Sequence, residues 1–190
     1  MTPDLAAFLD QLYADGRDFD AGQPDRLDRR RNLEPESAAL LRSLIDGLTP
    51  KSVLELGTSN GYSTIWMADV TNLTTVDNDP GRSLDAAANL RDAGVEEKVQ
   101  RIVADGATVL TDSADEQWDF IFLDAERSLY VNWWPDLQRV LANGGLLVVD
   151  NVLSHADQVV SFREHVDQAE GFRSLVLPIG AGLLIIAKQS

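Results

Sequence analysis

The stretch Val53-Leu54-Glu55-Leu56-Gly57-Thr58-Ser59-Asn60-Gly61-Tyr62-Ser63-Thr64 decides how the rest of the chain is read. A short apolar run ends in an acid and a glycine, small polar residues follow, and a helical pattern begins after a second glycine. This is the signature of a buried strand, a tight turn and a helix start. Glycine lets the backbone approach a bound molecule with no Cβ in the way, and the helix directs free N–H groups into the same space. The stretch is a ligand-binding turn.

Outward from it, strand and helix patterns alternate. Strands are predicted near 53–56, 73–76, 100–104, 119–123 and 146–149, and helices near 61–69, 80–93, 106–111, 128–142 and 156–169. Such alternation calls for an α/β fold, a parallel sheet with helices on both faces. Two further strand-like runs, 172–177 and 183–187, are joined by Pro178-Ile179-Gly180-Ala181-Gly182. That linker is too short for a crossover helix, so the tail is predicted to form a hairpin with one antiparallel strand. Upstream, Thr2-Pro3-Asp4 starts a helix with Leu5, Phe8, Leu9 and Leu12 on one face, expected to end at Gly16. Leu33-Glu34-Pro35-Glu36 opens a second, with a stripe of Leu40, Leu41, Leu44 and Ile45 up to Gly47. With no repeat or linker, residues 1–190 read as one domain, an N-terminal helix and variable segment over 1–32 and a ligand-binding core over 33–190.

Composition excludes several classes of function. The chain has 190 residues and a formal net charge of -15, so nucleic acid and anionic membranes are repelled over most of its surface. It has no cysteine, which rules out disulfides, thiolate zinc sites and cysteine nucleophiles. No basic-then-apolar leader and no run of membrane-spanning length is present, so a cytoplasmic location is expected. The only basic cluster is Arg26 with Arg29, Arg30 and Arg31. So short a motif favours a solvated segment pairing with Asp25, Asp28 and Glu34 over an anion-recognition site.

Open parallel sheets bind ligands beyond the carboxyl ends of their strands. Acids recur there, with Glu55, Asp77, Asp105, Asp124 and the pair Asp150-Asn151 at or after five successive predicted strands. Asp77 lies about twenty residues past the glycine turn, the separation at which a second-strand acid takes the hydroxyls of a ribose. The turn lacks the middle glycine of a dinucleotide fingerprint, so it suits a nucleoside without phosphates better than a pyrophosphate. Asp124, Asp150 and Asn151 form an all-oxygen set of the kind that suits Mg²⁺.

With these landmarks in this order and spacing, the chain resembles class I S-adenosylmethionine-dependent methyltransferases. It is closest to the metal-dependent O-methyltransferase family that includes the catechol and caffeoyl-CoA enzymes. The supporting stretches are 33–36, 53–63, Asp77, Phe120-Ile121-Phe122-Leu123-Asp124-Ala125-Glu126-Arg127 with Tyr130, 144–151 and 178–183. The resemblance implies a Rossmann-like methyltransferase fold, its mostly parallel sheet ending in an antiparallel C-terminal hairpin. It implies cofactor contacts from Glu55, Gly57, Ser59, Gly61, Tyr62, Ser63, Asp77, Asn78, Asp105, Gly106, Asp124 and Tyr130. Asp124, Asp150 and Asn151 match the metal ligands. The implied activity is Mg²⁺-assisted methyl transfer to a hydroxyl of a catechol-like or vicinal-diol small molecule, by a homodimer, with Asp124 and Arg127 at the chemistry.

One position departs from the pattern. Many family members carry lysine three residues after the first metal aspartate, whereas this chain has Arg127. A guanidinium stays protonated in proteins, so it stabilises a phenolate electrostatically but does not accept its proton. That departure keeps a non-catalytic or regulatory S-adenosylmethionine-binding protein as the alternative, with a nicotinamide-dependent oxidoreductase behind it. Trp133 and Trp134 lie at helical spacing with Leu137, Val140 and Leu141 and are expected in core or dimer packing, as Trp66 and Trp118 are in the core. His155 follows the Asp150-Asn151 turn and reads equally as a residue at the site mouth or as an exposed or helix-capping one, and His165 has no assigned role.

Overall fold

A computed structural model describes residues 1–25 and 29–190, so Arg26 and Asp28 of the basic segment lie outside the described residues. The chain runs α1 (Pro3–Ala21), α2 (Pro35–Leu48), β1 (Val53–Leu56), α3 (Tyr62–Ala68), β2 (Leu73–Asp77), α4 (Pro80–Asp92) and β3 (Val99–Val103). It continues with α5 (Gly106–Asp112), β4 (Trp118–Leu123), α6 (Tyr130–Val140), β5 (Leu141–Val149), α7 (Ala156–Gln168), β6 (Phe172–Leu177) and β7 (Leu183–Lys188). One seven-stranded sheet has the order β3-β2-β1-β4-β5-β7-β6. β1 through β5 pair in parallel, and β7 runs antiparallel to both β5 and β6.

The apolar strands follow from burial on both faces. Ile121, Leu123, Leu147 and Val149 join Leu110, Trp134, Leu137 and Phe162 of α5, α6 and α7 in one cluster. The intervening Phe120, Phe122 and Val148 join Leu9, Leu41, Ile45 and Ile65 of α1, α2 and α3 in the other. Alternate residues of one strand point to opposite faces, so these apolar side chains of β4 and β5 pack both sides of the sheet.

Strand order reverses between β1 and β4, which opens a crevice beyond their carboxyl ends. The C-terminal hairpin braces one wall of it. Val152 N donates to Gly182 O at 3.0 Å, and Leu153 N and Ser154 N donate to Ala181 O at 3.1 and 2.9 Å. Gly182 is at φ +95°, and a Cβ there would meet Leu153 N at 2.8 Å, so glycine permits the close approach.

Two expectations need correction. Gly16 does not end α1, which runs on to Ala21; it is buried, and a Cβ there would strike the Asn32 side chain, so the glycine serves helix-to-loop contact. The predicted helix 128–142 divides into a 3-10 turn, Arg127–Leu129, and α6, while β5 begins at Leu141 with a register shift against β4. Trp133 and Trp134 are 7% and 3% exposed, so of the two placements expected for them α6 gives the core one.

Candidate active site

β1 delivers the glycine turn to the crevice. Gly57 is at φ +105°, and a Cβ would run into the Asp124 carbonyl, so the turn after β1 lies directly against the end of β4. Thr58 N and Ser59 N both donate to Asp77 Oδ2, at 3.1 and 2.9 Å, and Asp79 N donates to Oδ1 at 3.0 Å. A carboxylate has about four lone-pair directions. Asp77 therefore fixes two turns and retains acceptor capacity at the cavity wall.

Behind the turn, Glu55 is fully buried and receives Ser63 Oγ and Thr64 Oγ1 at 2.5 Å and Thr75 Oγ1 at 2.6 Å. Burial pushes its carboxyl up to about 7 against the pull of these donors, and the nearby Asp124 charge adds to the rise.

The ends of β4 and β5 bring the oxygen trio together. Asn151 Nδ2 donates to Asp150 Oδ2 at 2.6 Å and to Asp124 Oδ1 at 3.3 Å, while Ser154 Oγ donates to Asn151 Oδ1 at 3.2 Å. Asn151 stands at φ 65°, a left-handed conformation that asparagine tolerates. Burial raises the proton affinity of both acids, and the charge of Asp124 raises that of Asp150 further. Arg31 and Arg127 oppose the rise at Asp124. Asp150 is 2% exposed, and its Oδ1 is buried with no hydrogen-bond partner. An orphaned carboxylate oxygen beside a second acid and an amide fits a hard cation. Among the described residues no three of His, Cys, Asp and Glu gather as a ligand group, the third member here being an amide.

These parts line one cavity of about 790 Å³, a size suited to a small-molecule ligand. Of the residues expected from sequence, Gly57, Ser59, Tyr62, Ser63, Asp77, Asn78, Asp105, Gly106, Asp124, Arg127, Asp150 and Asn151 reach it, and so does His155. Glu55, Gly61 and Tyr130 stand behind its wall. Tyr130 is fully buried, and its hydroxyl bonds the backbone N and O of Ala125 at 3.0 and 3.1 Å, bracing the loop after β4. Arg127 is 4% exposed in that loop. Gly106 packs on the Trp133 ring, which meets the cavity and is thus more than the core residue expected.

The basic segment is not merely solvated. Arg29, Arg30 and Arg31 form a cavity wall with Asn32, Leu33 and Glu34. The Asp20 carboxylate, at the end of α1, accepts Arg30 N at 2.7 Å and Arg31 N at 2.9 Å. Ser59 Oγ then donates to Arg30 O at 2.8 Å, which ties this strap to the glycine turn. The Arg30 guanidinium lies 4.2 Å above the Phe19 ring and 3.9 Å from Asp85. Asp20 carried no motif, and the signals along the strap were the density of arginine and the Leu33-Glu34 landmark at its end.

Comparison with known proteins agrees with this architecture. The O-methyltransferase family model matches residues 29–189. A catechol O-methyltransferase of Niastella koreensis is 29% identical over 82% of this chain and 73% of its own length. A caffeoyl-CoA O-methyltransferase of Stellaria longipes is 33% identical over 63% and 53%. The fold matches an O-methyltransferase from Streptomyces achromogenes solved with S-adenosylmethionine, with TM-score 0.80 and 22% identity over 96% of this chain and 90% of that one. The chain belongs to the O-methyltransferase family and is a class I S-adenosylmethionine-dependent enzyme.

Proposed function

We propose that the enzyme methylates a hydroxyl of a catechol-like or vicinal-diol small molecule with the help of a divalent cation, Mg²⁺ by the chemistry of its ligands. The observation that carries this reading is the unpartnered, buried Asp150 Oδ1 beside Asp124 and Asn151, in the same cavity as the nucleoside turn. Gly57 with Ser63 would receive the methionine end of S-adenosylmethionine, Asp77 the ribose hydroxyls, and the Asp105-Gly106 turn backed by Trp133 the adenine. Asp124 and Asp150 would hold the cation through their carboxylates, and Asn151 through Oδ1 once its amide, whose Nδ2 faces both acids, turns over. When bound, the sulfonium supplies the electrophilic methyl and the cation acidifies the acceptor hydroxyl. The chain's own work is to orient the acceptor, exclude water with the strap 29–34, and stabilise developing negative charge with Arg127. A homodimer, suggested by the family resemblance, and a cytoplasmic location, expected from the lack of cysteine, are part of this proposal.

The test is methyl transfer to a panel of catechols with Mg²⁺ and then with chelator, using the native enzyme and Asp150→Ala. Activity that is lost in chelator and in the variant supports the reading. Activity that survives both removes the cation from the mechanism.

A further inference from the structure

Arg127 is a buried cation whose direction is set from outside its own loop. Its Nε donates to Gln158 Oε1 at 2.7 Å, across 31 positions of sequence. Gln158 lies in the first turn of α7, and that helix is anchored by the buried Val159, Phe162 and Val166. A guanidinium is planar, with Nε on one edge and the two terminal nitrogens beyond it, so holding Nε orients the whole fork. Arg127 and Gln158 therefore join the loop after β4 to the helix that follows the Asp150-Asn151 turn. Arg127 lines the same cavity as Asp124 and Asp150. Glu34 and Arg31 are further charges at this end of the cavity.

We propose that Gln158 is a positioning residue that aims the Arg127 guanidinium at the acceptor oxygen, so that the two side chains act as one unit. This rests on the electrostatic role given to Arg127 above. The pair also explains why lysine would not replace arginine here. An ammonium has no donor at the Nε position, and Gln158 Oε1 would draw its single charged centre toward α7. Gln158→Glu separates holding from charge, because it keeps an acceptor for Nε while neutralising the guanidinium field.

The experiment uses the full chain with Mg²⁺ and 4-nitrocatechol, whose ionisation is visible when bound. Turnover with S-adenosylmethionine and spectroscopic titration of the bound phenol with S-adenosylhomocysteine are measured for wild type, Gln158→Ala, Gln158→Glu, Arg127→Ala and the double alanine variant. Gln158→Ala is expected to lower kcat about tenfold while the KM for S-adenosylmethionine stays within about twofold, with the bound phenol less acidic, as in Arg127→Ala. The double variant is expected to lose no more than Arg127→Ala, because groups acting as one unit do not contribute additively. Gln158→Glu is expected to make the bound phenol less acidic than in wild type. Wild-type behaviour of Gln158→Ala in both measurements, or losses that multiply in the double variant, overturns the inference and leaves the proposed function standing. A wild type that neither binds nor methylates nitrocatechol overturns the acceptor reading and this inference with it.

Discussion

Single atoms decide the geometry at Gly57 and the ionisation at Glu55. A Cβ at position 57 would collide with the Asp124 carbonyl at a backbone angle that side chains disfavour. Gly57→Ala should therefore lose about 2–4 kcal/mol of stability, from left-handed strain and overpacking together. Denaturant unfolding measures that loss, and calorimetry should show weakened S-adenosylhomocysteine binding. For Glu55, the folded carboxyl titrates at about 7 against 4.5 for the free group. Between those values the native state binds more protons than the unfolded one, so this residue's contribution to stability falls as pH rises through that window and is fully lost above it. The loss is at most about 3 kcal/mol. Melting temperatures between pH 5 and 8 should fall less steeply for Glu55→Gln than for wild type, and parallel curves would show that Glu55 ionises freely.

At the scale of elements, the strap between α1 and α2 was the least legible part of the site. The helix pattern of 3–12 and the stripe of 40–45 were readable because apolar spacing reports a face to be buried. The Arg30 and Arg31 backbone N–H groups reach a side-chain carboxylate ten and eleven positions back, a contact that leaves no periodicity. Two hydrogen bonds to one carboxylate hold the strap to α1, each of a charge-assisted kind worth about 1.5–3 kcal/mol. Asp20→Ala should weaken S-adenosylhomocysteine binding about tenfold, because the strap bonds to Ser59 beside the ribose acid. Isothermal titration checks this, and an unchanged affinity would show that the strap keeps its place without Asp20.

Across the whole molecule, which carries a net charge of -15, the sheet directs several of the acids into one crevice. Burial raises the proton affinity of Asp124 and Asp150, so without a cation their ionisation opposes folding as pH rises above the ordinary carboxylate range. Bound cation reverses that opposition, since it requires the ionised forms. Mg²⁺ should raise the melting temperature more at pH 8 than at pH 6, chelator should abolish the shift, and Asp150→Asn should remove most of it. An equal shift in that variant would place Mg²⁺ elsewhere on the acidic surface.

Local pattern along the chain settles the order of elements, the glycine turn, the strand-end acids and the family to which they belong. Each of these is a local pattern, written in spacing, backbone freedom and residue chemistry along a few consecutive positions. Only the tertiary structure decided that Gly16 makes room for Asn32, that Trp133 serves both core and cavity, that Tyr130 braces the wall instead of lining it, and that Gln158 holds Arg127. Those contacts join residues brought together by packing across the sheet and its loops. Their partners are set by which helix covers which strand, and no stretch of the chain carries that information alone.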